Sequence, residues 1–198
     1  MNKRSCEVKR ETRETQIYLE LNLDGRGHTE IDCGIPFLNH MLTLFGVHGF
    51  FDLTVKAEGD TEVDGHHTVE DIGICLGQAF KKILHDFSGI NRYGSCSLPM
   101  DEARADITID LSNRPYLHYN ADNLDAKTGD FDTALVQEFL RALALHGGMT
   151  LHVDVPYGRN THHIIEAVFK ALGKTLDQAT AINTRLETPL SSKGSLTS

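Results

Sequence analysis

Tryptophan is missing from this chain, and proline (5 residues) and cysteine (4 residues) are scarce. The cysteines, Cys6, Cys33, Cys75 and Cys96, lie far apart and form no C-x-x-C pair. That argues against a zinc ribbon or a disulfide scaffold and fits a reducing cytoplasm. No apolar run reaches the roughly 18 residues of a membrane-spanning helix. The opening "MNKRSCEVKRETRET" is polar and charged and carries no secretory signal. Basic charge is also short, with 19 Lys and Arg against 28 Asp and Glu and a net charge of −9. A nucleic-acid binder would show a basic excess or stripe, so neither nucleic acid nor membrane is expected as a partner.

Histidine, by contrast, is abundant, with 11 in 198 residues. Its placement is uneven. "GHHTVEDIGICLGQAF" (65–80) carries two adjacent histidines with a glutamate three residues after the second, and "THHIIEAVFKALGKTL" (161–176) repeats the cluster. A chain of this length can bury a real core, as one domain or as two small halves.

Hydrophobic spacing supports two halves. Alternation over 16–23 predicts a strand, with Ile17, Leu19, Leu21 and Leu23 on one face, followed by the turn "DGRG". A helix is expected over 36–49, opened by Pro36 and stopped by glycine. A strand over 51–60 and a helix over 67–84 follow. The order then recurs as strand 105–112, helix 132–148, strand 150–155 and helix 164–180, with further short strands in the gaps. An offset of 98 lays His48-Gly49 on His146-Gly147 and Val55 on Val153. An offset of 96 lays His66, His67 and Glu70 on His162, His163 and Glu166, and Leu76-Gly77 on Leu172-Gly173. The expected fold is α+β, with two similar half-domains, 1–94 and 95–198, each a sheet packed with two helices. The Ser-rich end "ETPLSSKGSLTS" is expected to be flexible unless a ligand or neighbour orders it.

Residues four apart on a helix share a face, so His66 and Glu70 can converge, whereas the adjacent His67 points elsewhere. One metal would not easily take both histidines from a rigid helix, but two metals could each take one. The 98 offset also places His40 on Glu138. Eight side chains result: His40, His66, His67, Glu70, Glu138, His162, His163 and Glu166. Nitrogen and carboxylate donors without thiolate suit Mn, Fe, Co or Zn. His28, His85, His118, His146 and His152 are read as structural or exposed. For an anion, Arg92 in "GINRYG", Arg114 in "LSNRPYL", Lys170 on the Glu166 face, and Ser191, Ser192 and Lys193 in "SSKG" are the candidates.

These stretches, with "GIPFLNHML" and "TLHV", together resemble imidazoleglycerol-phosphate dehydratase, an enzyme of histidine biosynthesis. The similarity runs from about Arg10 to Leu196, with no fused phosphatase domain. The resemblance implies a ribosomal protein S5 domain 2-like fold in each half. It implies a hydro-lyase that converts imidazole glycerol phosphate to imidazole acetol phosphate with two Mn(II) ions per active site. It also implies a 24-subunit homo-oligomeric shell with active sites between subunits. The eight side chains above fall on the family's metal positions, with Glu138 where the family often has histidine. Arg92, Arg114, Lys170, Ser191, Ser192 and Lys193 fall on its phosphate positions, and Glu14 on a substrate-contacting glutamate. The abstracted hydrogen sits on carbon with no neighbouring carbonyl, so metals on both ring nitrogens would stabilise an imidazolate that expels the hydroxyl. Glu14, Glu70 and Glu166 are the acid–base candidates. Two other readings compete: a dinuclear metallohydrolase, which would release phosphate, and a metal-storage shell, which would need no phosphate clamp.

Overall fold

The computed structural model describes residues 4–122 and 124–196. The expected strand and helix periods produce two copies of one topology. The first consists of β1 (Ser5–Glu11), β2 (Thr15–Asn22), β3 (Thr29–Asp32), α1 (Pro36–Gly49), β4 (Asp52–Gly59) and α2 (His66–Leu84). The second consists of β5 (Tyr93–Met100), β6 (Ala103–Asp110), β7 (Tyr116–Asn120), α3 (Ala134–Gly147), β10 (Thr150–Tyr157) and α4 (Thr161–Thr180). Only the second carries an added hairpin, β8 (Lys127–Thr128) and β9 (Phe131–Asp132), ahead of its first helix. The sheets run β1-β2-β4-β3 and β5-β6-β10-β7. In each, the first three strands are antiparallel and the fourth pairs in parallel. Residue 94 lies just inside β5. Among the described residues no helix is long and apolar enough to cross a membrane.

Alternation decides which sheet face is covered. Ile17, Leu19 and Leu21 of β2 and Leu53 and Val55 of β4 are buried. Ile107 and Ile109 of β6 and Leu151 and Val153 of β10 repeat the pattern. α2 lies on the first sheet and α4 on the second, but each helix also packs on the other half: α2 against α3, and α4 against α1.

Glycine makes these crossings possible. A Cβ on Gly173 would stand 2.4 Å from the Phe45 carbonyl oxygen, and one on Gly77 would stand 2.7 Å from that of Leu143. No side chain fits where a helix backbone lies so close. The repeated Leu-Gly is therefore the mark of two equivalent helix crossings.

Some boundaries differ from the sequence expectation. α4 starts at Thr161, three residues early, because the Asn160 side chain caps it by accepting from the His162 N–H at 2.9 Å. α2 has no side-chain cap at its N-cap Gly65, but Asp64 just before it accepts the His66 N–H at 2.7 Å. The edge strands β1 and β5 are full-length, not short. The C-terminal segment is also more ordered than its composition suggests. Ser88 forms a bridge with Pro189, Ile90 forms one with Ile182, and Arg92 donates to the Leu190 carbonyl. Backbone pairing, a buried guanidinium and Leu196 packed against the core hold it. Residues 197–198 lie outside the described residues.

Candidate metal and substrate site

Both helix starts put a His-His pair in the first turn. The ring planes of His66 and His67 stand at 86° to each other, and those of His162 and His163 at 84°. His66 Nε2 lies 3.7 Å from Glu70, and His162 Nε2 lies 3.3 Å from Glu166. The α1–α4 crossing then brings His40 in, 3.6 Å from Glu166. The donor atoms of His40, His162 and Glu166 all lie within 4.8 Å of one another. Two imidazoles and a carboxylate at this spacing fit a borderline divalent cation. Burial pushes Cys33 up to about 11 and Cys75 up to about 12, so neither offers a thiolate at neutral pH.

Glu166 is buried. Burial raises its carboxyl, but the Lys170 ammonium at 2.5 Å, with His40 and His162, outweighs that and holds it below its usual range. Lys170 therefore lies beside His40, His162 and Glu166, away from the cavity that the other anion candidates line.

Repeat symmetry predicts a second group, because α2 meets α3 as α4 meets α1. His66 and Glu70 are in place, but Glu138 is drawn to Arg141 one turn along α3. The structure leaves Glu138 outside any group of three donors found among the described residues.

The second histidine of each pair faces other carboxylates. His67 Nδ1 lies 3.1 and 3.0 Å from the two Asp60 oxygens, and its Nε2 lies 3.9 Å from Glu14. His163 Nδ1 lies 2.7 Å from Glu102, and its Nε2 lies 4.0 Å from Asp101. Hydrogen bonding to Asp60 and to Glu102 raises the two histidines. The His163 hydrogen bond, followed by the Asn160 N–H, holds Glu102 at about 2. Sequence reasoning missed Asp60 and Glu102. The signal for Glu102 lies in strand register: the sheets place Leu19 on Ile107, an offset of 88, and the same offset places Glu14 on Glu102.

The anion candidates assemble elsewhere. Arg92, Arg114, Ser191, Ser192 and Lys193 line one cavity of about 670 Å³. Arg92 is buried with a left-handed backbone (φ 72°), and Asp110 holds its guanidinium at 2.6 and 3.0 Å. Asp110 and the Leu190 carbonyl engage three of its five N–H groups. Arg114 is exposed, 3.6 Å from Asp110. A larger cavity, about 880 Å³, opens beside His40, His162, Phe37 and the β8–β9 hairpin.

A family model described as Imidazoleglycerol-phosphate dehydratase matches residues 33–176. The chain belongs to the imidazoleglycerol-phosphate dehydratase family. It is 58% identical over 194 residues to the imidazoleglycerol-phosphate dehydratase of Syntrophobacter fumaroxidans, covering 98% of each chain. It is 56% identical over 193 residues to that of Pelobacter propionicus, covering 98% of this chain and 99% of the relative. The crystal structure of the Staphylococcus aureus dehydratase matches 90% of this chain and 99% of its own at 40% identity, with a TM-score of 0.82. A Pyrococcus furiosus structure of the same family matches 94% of this chain and 99% of its own at 35% identity, also with a TM-score of 0.82.

Proposed function

We propose that this hydro-lyase of histidine biosynthesis removes water from imidazole glycerol phosphate with two Mn(II) ions per active site, giving imidazole acetol phosphate. The observation that carries the metal reading is the convergence of His40, His162 and Glu166 within 4.8 Å. His66, His67, Glu70, Glu138 and His163 complete the proposed ligand set, with Glu138 leaving Arg141 to join it. When bound, the ions would act as Lewis acids on the imidazole ring nitrogens, so that the ring can take up the electron pair released at carbon.

The chain's own residues divide the remaining work. Arg92, Arg114, Ser191, Ser192 and Lys193 hold the phosphate and so fix the distance of the reacting carbons from the ring site. Lys170 holds Glu166 charged. Glu14 is the carboxylate assigned to proton transfer. Its side chain is 54% exposed and stands by His67 Nε2, whereas that of Glu166 is 10% exposed and tied to Lys170.

The two cavities share no lining residue. One chain therefore offers the ring site and the phosphate cradle in different places. This supports active sites completed between subunits in a 24-subunit shell, as do the exposed apolar side chains of Val47, Phe50, Tyr116, Leu145 and Ile182.

The deciding experiment incubates Mn(II)-loaded protein with imidazole glycerol phosphate. A ketone product that disappears on chelation and returns with Mn(II) is expected, with the particle shrinking on a sizing column while metal-free. Phosphate release without ketone would point to a hydrolase instead, and full activity after complete metal removal would end the metal reading.

The cradle makes its own prediction. Lys193→Ala removes a charge-assisted contact to the phosphate and touches no proposed metal ligand. KM should rise about 10-fold or more, with metal content unchanged by elemental analysis. An unchanged KM would place the phosphate elsewhere.

A further inference from the structure

Equivalence of Glu14 and Glu102 under the repeat poses a question, because the two now face opposite sides of their histidines. Glu102 Oε2 meets Nδ1 of His163, while Glu14 Oε1 stands towards Nε2 of His67. In the first half Asp60, beyond the end of β4, has taken the Nδ1 position. We propose that Glu102 and Asp60 are positioning residues: each accepts the Nδ1–H of its histidine and so leaves the Nε2 lone pair open for the metal. This rests on the metal reading above. A neutral imidazole carries one proton, and the carboxylate decides which nitrogen has it. Handing Nδ1 to Asp60 freed Glu14 for substrate, which explains why the two halves no longer match there.

The two carboxylates differ in a way that separates proton placement from simple charge. Glu102 Oε1 is already committed, accepting the Asn160 N–H at 2.7 Å and the Arg159 N–H at 3.2 Å. Glu102→Gln has one acceptor oxygen, and those two N–H groups claim it. Its NH₂ must then face His163 Nδ1, which becomes the acceptor and moves the imidazole proton to Nε2. In Asp60→Asn both original oxygens address His67 alone, so the amide can turn its oxygen to Nδ1 and preserve the tautomer.

Equilibrium dialysis against Mn(II) should show Glu102→Gln binding about 10- to 100-fold more weakly than the parent at one class of site. Asp60→Asn should stay within about threefold, the loss expected when the hydrogen bond persists without its full charge. Both should keep the parent Tm, because the backbone contacts of Glu102 survive. Nitrogen-15 spectra of sedimented, metal-free protein labelled at histidine, recorded at a pH high enough that the raised histidines are neutral, read the tautomer directly. His163 should be Nδ1-protonated in the parent and Nε2-protonated in Glu102→Gln. A parent protein with His163 protonated on Nε2 overturns the proposal whether or not any variant folds. Equal weakening in the two variants also overturns it, since charge alone would then be at work. A parent that takes up no Mn(II) removes the metal reading and leaves the tautomer result standing on its own.

Discussion

Alanine at Gly173 should loosen the whole molecule. Its Cβ would sit 2.4 Å from the Phe45 carbonyl oxygen and 3.0 Å from the Gly49 nitrogen, both backbone atoms of α1. Backbone cannot rotate away as a side chain can, so the helices must separate. Alanine itself favours a helix over glycine by about 1 kcal/mol, which works against the loss. Overpacking of this kind costs about 1–3 kcal/mol and more where the obstacle is rigid. The net expectation is a loss of about 2 kcal/mol, or about 4–8 °C in Tm for a chain of this size. Gln78→Ala, on the exposed face of α2, serves as the control and should change stability by less than about 0.5 kcal/mol. If Gly173→Ala melts with the parent, the close crossing is not what the glycine provides. Activity should fall along with stability, because the same crossing carries His40 to Glu166.

Glu166→Gln should abolish catalysis without unfolding the protein. The carboxylate sits where His40, His162 and Lys170 all converge, at 3.6, 3.3 and 2.5 Å. Glutamine keeps the shape but removes the charge that balances the Lys170 ammonium and the proposed metal. Removing an orienting partner of a ligand costs about 10–100-fold in metal affinity or activity, and losing the ligand itself should exceed that. Mn(II) affinity at one class of site and kcat/KM should therefore both drop more than about 100-fold. Glu166→Gln that retained its metal and lost only kcat would reassign the residue from ligand to acid–base group.

Much of this arrangement was legible in the residues because it rests on short-range regularities. Helical spacing and the repeated His-His-x-x-Glu located α2 and α4 and the faces they present, and the repeated Leu-Gly aligned the two helices. The polar edge strands β1 and β5 were harder to read. A half-exposed edge strand such as "SCEVKRE" has little apolar alternation to detect, and its hairpin sits at a third offset, 88, that only strand register reveals. Glu102 was hidden for that reason, and Asp60 because nothing in a strand-to-helix loop announces a histidine partner. The C-terminal segment looked loose because its order comes from backbone bridges and Arg92, which composition does not record. Glu138 shows the limit of the repeat itself, since alignment places it with a metal set while a local arginine competes for it.

The swapped helix contacts also set a timetable for folding. α1 ends at Gly49, yet its partner α4 begins only at Thr161, so the first half's core contains contacts that span over a hundred residues. Long sequence separation between contacts slows folding, because loop closure must come before the contacts reward it. During synthesis the N-terminal half emerges with the α1 face that meets Gly173 still bare, and it cannot be covered until α4 is made. His40 thus waits for the last helix before its neighbours exist, and the cluster of His40, His162 and Glu166 is among the final features of the chain to form.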